Sequence, residues 1–260
     1  MPPDDLSPSA ITDNLATRFI GQRVVYYPRL SSTMDAARRE AKNGAAAGTV
    51  VLAGEQTEGR GRVGRTWLAP QGNIALSVIL RPEVSGLPYL IMVASLAVAG
   101  AIEAVAGIKT QIKWPNDVLV KGKKVGGILI ENEVKGDRVD YAVIGIGINV
   151  ALNPSEEPSI QFVATSLNAE AGREVPRVDV VRHLLTEMER LYRLLTDGEV
   201  IYRAWRERLV TLGKNITVKF GDSTLQGIAE SVDKDGALVL RREDGSLMRI
   251  VAGDVTVREK

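Results

Sequence analysis

Cysteine is absent from this 260-residue chain, and histidine occurs once, at His183. Without cysteine there is no disulfide, no thiolate metal site and no cysteine nucleophile. His183 sits beside Leu184 and Leu185 in a helix-periodic run, which reads as a surface or boundary position. Nucleophilic triads built on histidine are therefore excluded. Charge of one sign is also lacking: Lys+Arg 33 against Asp+Glu 32 leaves +1. That balance argues against a protein built around nucleic-acid or membrane-surface binding. The start, MPPDDLSPSA, has neither a basic segment nor an apolar core, so it is not a signal peptide and reads as a flexible tail over residues 1–20. No G-x-x-x-x-G-K-[ST] occurs, which removes a P-loop. One apolar stretch, Leu87 to Ala106, is about long enough to span a bilayer. It is rich in Ala and Gly, carries Glu103 and lacks basic and aromatic flanks, so a buried core helix is expected. The chain reads as soluble and cytoplasmic.

A chain of this length accommodates one large domain, or a large and a small one. Ser32-Thr33-Met34-Asp35 fits a helix N-cap with an acid three residues on, and Asn43-Gly44 fits its end. Strands are expected at Val50–Gly54, Ile74–Leu80, Thr110–Lys113, Val118–Val120, Val125–Glu133 and Val139–Val150. Apolar residues at 178, 181, 184, 185, 188, 191, 192 and 195 mark a helix, and a second runs to about Thr211. A short helical piece is expected near 165–171. After Gly213 the texture changes to short alternating runs separated by Phe220-Gly-Asp, Asp235-Gly236 and Asp244-Gly245, which are hairpin signals. The reading is an α+β domain over residues 21–211 followed by a small all-β barrel over residues 212–260.

Gly59 to Arg65 reads GRGRVGR. Arginine brings a fixed charge and forked donors for phosphate or carboxylate. Glycine lets backbone N–H groups approach an anion. The spacing Gly59-x-Gly61-x-x-Gly64 also matches the dinucleotide fingerprint, but that motif must open a helix, and Thr66-Trp67-Leu68-Ala69-Pro70-Gln71-Gly72 has no helical period. A loop closing over an anion remains, against the alternative of a solvated basic loop. The second segment is Lys113-Trp-Pro-Asn-Asp117 with Lys124-Val-Gly-Gly127 after it. Asn116 and Asp117 at a strand junction can hold phosphate or Mg²⁺, and a hairpin returns Lys124 to the same edge. An ordinary Asn-Asp turn with solvated lysines has the same pattern. The third segment is Gly145-Ile-Gly147-Ile-Asn149, where Asn149 either meets a ligand or caps the strand end.

Taken together, SSTMD, EQTEGRGRVGRTW, KWPNDVLVKGKKVGGILIEN and GIGINV, in this order and spacing, resemble the biotin–protein ligase (biotin–[acetyl-CoA carboxylase] ligase) family from about residue 24 to the end. The resemblance implies a mixed-sheet catalytic domain, related to class II aminoacyl-tRNA synthetases, with a C-terminal SH3-like barrel. It implies a two-step reaction using ATP, Mg²⁺ and biotin, through biotinyl-5′-AMP, with a lysine of a biotin carboxyl carrier domain as acceptor. It assigns Lys124, Arg62 and Asp117 to catalysis, Asp117 as the base. It assigns Ser32, Thr33, Gln56, Gly59, Arg60, Gly61, Arg62, Lys124 and Gly127 to biotin. It assigns Arg62, Arg65, Trp67, Lys113, Asn116 and Asn149 to ATP, and leaves the protein's metal ligands unassigned. The arginine loop reads as a lid on the adenylate.

Two departures bear on these expectations. Met34 stands where the family often has Asn, so a polar contact is lost. Thirty-one residues precede Ser32-Thr33, too few for the winged-helix DNA-binding domain of bifunctional members, so no DNA partner and no repressor function are expected. No membrane partner is expected, and a homodimer is compatible with the resemblance. A lipoate or octanoate ligase of the same fold is the rival enzyme reading, and a non-catalytic binding module is the rival of another class.

Overall fold

In the computed structural model, residues 6–220 and 223–257 are described. The elements in chain order are α1 (Pro8–Thr12), β1 (Val24–Tyr27), α2 (Thr33–Lys42), β2 (Val50–Ala53), β3 (Ile74–Leu80), α3 (Leu90–Ala106), β4 (Gln111–Lys113), β5 (Asp117–Val120), β6 (Lys123–Lys135), β7 (Arg138–Ile148), α4 (Leu167–Ala171), α5 (Arg177–Tyr192), α6 (Gly198–Glu207), β8 (Asn215–Phe220), β9 (Ser223–Val232), β10 (Leu238–Arg241), β11 (Leu247–Ile250) and β12 (Asp254–Val257). The first seven strands form one sheet in the order β1-β2-β3-β7-β6-β5-β4. Only β1 and β2 are parallel; every other pair is antiparallel, so the sheet is mixed.

Alternation along these strands decides which face is dry. Leu76, Val78 and Leu80 of β3, with Ile144, Ile146 and Ile148 of β7, join the main core with Ala94, Val98 and Ile102 of α3 and Leu184 and Met188 of α5. The stretch Val84–Ala106 is long and apolar enough to cross a membrane by length and composition. It is instead the core helix, with Met92, Val93, Ala94, Ala97 and Val98 wholly buried. The opposite face of the sheet is covered only in part, by α2, through Met34, Ala37 and Ala41 against Val51, Ile79 and Val143. The uncovered part of that face is where β3, β7, β6 and β5 present small residues.

The expected flexible tail is ordered from Leu6 onward. Leu6, Ala10, Ile11, Leu15 and Ile20 are buried. The carboxylate of Glu189 on α5 accepts the N–H groups of Arg18, Phe19 and Ile20 at 2.8–2.9 Å. Apolar residues interleaved with Pro and Ser give this stretch enough buried surface to dock; composition alone hid the spacing. Residues 1–5 lie outside the described residues, as do Gly221 and Asp222 of the expected Phe220-Gly-Asp turn.

Beyond α6 the chain forms a separate five-stranded antiparallel sheet, β11-β10-β9-β8-β12. Its Asp235-Gly236 and Asp244-Gly245 turns place glycine at φ +85° and +80°, the left-handed conformation such turns require. This unit meets the larger one through Trp114, whose indole N–H donates to Gly236 O at 2.8 Å, and through Tyr202, whose hydroxyl donates to Val232 O at 2.7 Å.

The end of α3 is tied to the chain after α6. Arg208 donates to both oxygens of Glu103 at 2.7 and 2.9 Å, and the Thr110 hydroxyl adds a third bond at 2.8 Å. Burial works against the Glu103 carboxylate, but the bonds from Arg208 and Thr110 outweigh it and bring its pKa down to about 2. A carboxylate depressed in the folded state stabilises the fold above its unfolded pKa, and that contribution is lost as pH falls towards the folded value. Solvent screening of this part-exposed pair reduces the contribution to about 1–2 kcal/mol. Glu103→Gln should therefore lower the melting temperature at pH 7, and the difference from wild type should close between pH 4.5 and pH 2 in a thermal-melt series. A constant difference across that window would contradict the linkage.

Candidate active site

The register of the sheet lays out the site. Ala75, Gly147, Gly127 and Asp117 form one cross-strand row, and Ser77, Gly145 and Leu129 form the next. Directly paired residues share a face, and rows two residues apart are separated by about 7 Å. The first row opens on the part of the face that α2 leaves uncovered, and the second lies at its border, with Met34 of α2 over Gly145. They floor a cleft with about 910 Å³ of empty space, part of it open to solvent.

The glycines of these rows are places of close approach. A Cβ on Gly147 would lie 2.3 Å from the Trp67 indole, and one on Gly127 2.9 Å from it. Trp67 therefore lies flat on the backbone of β6 and β7. A Cβ on Gly145 would lie 2.5 Å from the Met34 sulfur, so Met34 occupies the next row in the same way.

Around the Ser77 row the groups are neutral. The side-chain carbonyl of Gln56 accepts from the Thr33 N–H at 2.8 Å and the Thr33 hydroxyl at 3.0 Å. The Ser77 hydroxyl lies 2.9 Å from the same Thr33 oxygen. Ser32 holds the N-cap position of α2 but makes no capping bond. Its hydroxyl is buried and has no hydrogen-bond partner. A buried polar group without a partner costs about 1–3 kcal/mol, so this one is a ready point for a ligand.

Around the Asp117 row the groups are charged. Lys124 Nζ lies 2.6 Å from Asp117 Oδ1 and 5.1 Å from the centre of the Trp67 ring. A bulge between Val118 and Leu119 brings Lys124 back to this edge. Its backbone is clamped, with the Lys124 N–H donating to Val163 O at 2.8 Å and Thr165 N–H donating to Lys124 O at 2.9 Å. Arg62 donates to Asn116 Oδ1 at 3.2 Å, and Asn116 donates in turn to Ile128 O at 2.8 Å. Burial lowers the pKa of Arg62 below the ordinary guanidinium value, opposed by the carboxylates of Asp117 and Asp254. A desolvated guanidinium gains most when an anion arrives. Arg65 pairs with Asp254 of the C-terminal unit.

The arginine loop is folded over this end. Gly61 N–H donates to Arg65 O at 2.6 Å, and Trp67 N–H donates to Gly59 O at 2.8 Å. Arg62–Gly64 makes a single tight turn, with Val63 at φ +53° and 73% exposed at its tip.

Of the residues expected at the site, Ser32, Thr33, Gln56, Arg60, Gly61, Arg62, Arg65, Trp67, Lys113, Asn116, Asp117, Lys124 and Gly127 all line this one cleft. Gly59 does not; it lies behind Trp67 as the acceptor of its N–H. Asn149 does not line it either. It is buried, and its amide donates to Thr165 O at 3.1 Å, bracing the segment that clamps Lys124. Sequence reasoning missed Ser77, the one polar side chain in the apolar run IALSVIL, which does not line the cleft but is fully buried behind it and braces the Thr33 hydroxyl at 2.9 Å. It also missed Asp254, which reaches the cleft from far along the chain and carries no local signal. Among the described residues no group of three His, Asp or Glu side chains is placed to hold a metal ion.

The biotin/lipoate A/B protein ligase family model matches residues 26–149, and the biotin protein ligase C-terminal domain model matches residues 211–258. The bifunctional ligase/repressor BirA of Bacillus subtilis is 40% identical over 97% of this chain and 79% of its own length. The biotin–[acetyl-CoA-carboxylase] ligase of Paracoccus denitrificans is 39% identical over 75% of this chain and 85% of its own. The biotin protein ligase of Aquifex aeolicus in complex with biotin and ATP superposes with a TM-score of 0.77 at 27% identity, covering 92% of this chain and 100% of that one. From matches of this extent, on a fold and cleft of this kind, it follows that the chain belongs to the biotin/lipoate A/B protein ligase family.

Proposed function

We propose that this chain is an ATP-dependent biotin–protein ligase acting on a carboxyl carrier domain. The observation that carries the reading is the polarity of the cleft. Neutral hydrogen-bonding groups gather at the Ser77 row, and cations gather one row away around Lys124. The matching substrate has a neutral head rich in N–H and C=O groups and a carboxylate tail. Biotin's ureido ring and valerate fit both ends. The dithiolane of lipoate offers the Ser32, Thr33 and Gln56 groups nothing to pair with, and burying them unpaired is costly. The relatives named for biotin ligation support the same choice.

In the first step a biotin carboxylate oxygen attacks the α-phosphorus of ATP, a P–O bond forms, and pyrophosphate leaves. Arg62, Arg65 and Lys124 bring the two anions together and offset the charge that builds on the α-phosphate. Lys113 and Asn116 line the phosphate side, and Trp67 borders the adenosine. Mg²⁺ keeps several waters, binds largely through substrate phosphates and needs only one or two protein oxygens; Asn116 and Asp117 fit that requirement, and the ion supplies charge neutralisation when bound. In the second step a carrier lysine amine attacks the mixed anhydride, forming an amide and releasing AMP. That amine must first lose a proton, because its unperturbed pKa is about 10.4. Asp117 is the carboxylate at hand, once Lys124 leaves it for the anhydride. The loop 59–65 keeps water from the anhydride while it waits.

This reading takes residues 21–211 as the catalytic domain and residues 212–260 as an SH3-like barrel that closes one wall of the cleft with Asp254. It includes a homodimer and no DNA partner, in keeping with the near-zero net charge. Biotin-dependent exchange between ATP and pyrophosphate, with lipoate inert, tests it directly; lipoate-dependent exchange with biotin inert would end it. Ser32→Ala should raise the melting temperature of the free protein slightly, since it removes a buried hydroxyl that has no partner. It should raise KM for biotin by about 2- to 13-fold, the worth of one hydrogen bond. An unchanged KM would take Ser32 out of the biotin site.

A further inference from the structure

Arg60 does not point its charge at the cation end of the cleft. Its guanidinium donates to Asp35 Oδ1 on α2 at 2.7 Å and lies 3.7 Å from Glu131 Oε1 on β6. Arg38 on α2 bonds the other oxygen of Glu131 and approaches Asp35 at 3.4 Å. Two carboxylates thus hold two guanidiniums in one closed square. The square joins the loop, the helix whose first turn carries Ser32 and Thr33, and the strand that carries Lys124 and Gly127. Arg60 is the only member on the loop. The other loop arginines, Arg62 and Arg65, are anchored to Asn116 and Asp254. Those two partners lie on the side where the triphosphate must enter, so an incoming anion competes with them. Glu131 is two residues past Leu129 on β6, one row further from the Asp117 row, and Asp35 faces it from α2, so no substrate anion reaches the pair in the same way.

We infer that Asp35 and Glu131 form an acidic clasp that holds the loop shut through Arg60 while Arg62 and Arg65 exchange their partners for substrate, and that the clasp sets how long the acyl-adenylate is retained. Asp35 and Glu131 are positioning residues: they act through Arg60 and touch no reacting atom. The clasp rests on the ligase reading for its role, though not for its existence. All of its members are part-exposed, so each pair shifts the open–closed balance only a few-fold, and salt weakens it.

The test combines Asp35→Asn with Glu131→Gln in the full chain. Tryptic cleavage after Arg62 and Arg65, followed by mass spectrometry without ligand, reads loop opening. Cleavage should accelerate about 3- to 30-fold in the double variant. In wild type it should accelerate as salt rises from 0.05 to 1 M, on the order of the screening of exposed pairs, and in the variant it should accelerate less, since Arg65–Asp254 is the loop pair left to screen. Arg60→Gln should give the same acceleration and add nothing to the double variant; a merely structural role for Asp35 or Glu131 would add. Dissociation of biotinyl-5′-AMP should quicken by the same factor, with the exchange kcat at saturating biotin within about twofold of wild type. Wild-type cleavage and wild-type adenylate retention in the double variant would overturn the clasp. Because the tryptic measurement uses no ligand, it decides the clasp even if biotin proves not to be the acid.

Discussion

Lys124→Ala should lower kcat/KM for biotin-dependent exchange by about 10²–10³, the loss seen when one charge-stabilising donor is removed from a preorganised site. The expectation rests on how Lys124 is held. Its backbone is fixed on both sides by Val163 and Thr165, and its ammonium is fixed between Asp117 and the face of Trp67. A donor so placed needs no reorganisation when charge develops beside it. Removing it also leaves Asp117 as an unanswered carboxylate facing an incoming triphosphate, which adds repulsion to the lost attraction. Asp117→Asn in the Lys124→Ala background should therefore recover part of the loss, although Asp117→Asn alone should be harmful. Lys124→Arg keeps the charge but not the shape. A planar fork cannot occupy the space of a single ammonium between a carboxylate and an indole, so recovery should be incomplete. Full exchange activity in Lys124→Ala would contradict the role, and simple additivity in the double variant would contradict the coupling.

Much of this arrangement is legible in the chain because it is written locally. The arginine loop, KWPND with Lys124, and GIGIN are each contiguous, and each lands on the cleft because a strand and its turn are short-range structures. The strands from Val50 to Val150 follow from alternation and apolar runs. Three kinds of feature were not legible. Strand β1 (VVYY) is half-buried throughout, with no alternation to mark it, and only its pairing with β2 makes it a strand. Ser32 carries the signal of an N-cap, and local propensity reads it so; in the structure its hydroxyl makes no capping bond and is buried without a partner in a residue that lines the cleft, a conflict between local rule and outcome that marks a functional position. Asn149 shows the reverse. Its motif points to the ligand, yet its amide is spent on Thr165, because a strand end beside a long loop needs bracing. The partners of the loop arginines, Asp35, Glu131 and Asp254, are set by tertiary placement, and nothing in their own neighbourhoods announces them.

Gly147→Ala should be about as damaging as the loss of a catalytic group, although it adds one methyl to a residue that does no chemistry. Gly147 sits in β7 with extended backbone, paired with Ala75 and Gly127, so alanine itself fits the strand. The space above it is what forbids the change. The new carbon would lie 2.3 Å from the Trp67 indole, well inside contact distance. Either the strand moves or the indole lifts. From Ala142 to Ile148 the strand is locked between β3 and β6, and packed cores resist such shifts at about 1–3 kcal/mol. The indole is half-exposed on a loop and is the part that gives. Lifting it by an ångström or more displaces the wall expected to border the adenosine and removes the ring under Lys124. Misplacement on that scale costs about 10²-fold in kcat/KM, chiefly through KM for ATP, while the melting temperature should move little. The decisive measurement is a double-mutant cycle. In the Trp67→Ala background the collision no longer exists, so Gly147→Ala should then cost almost nothing further. If the two losses instead multiply, Gly147 serves the site by some route other than the seat it gives to Trp67.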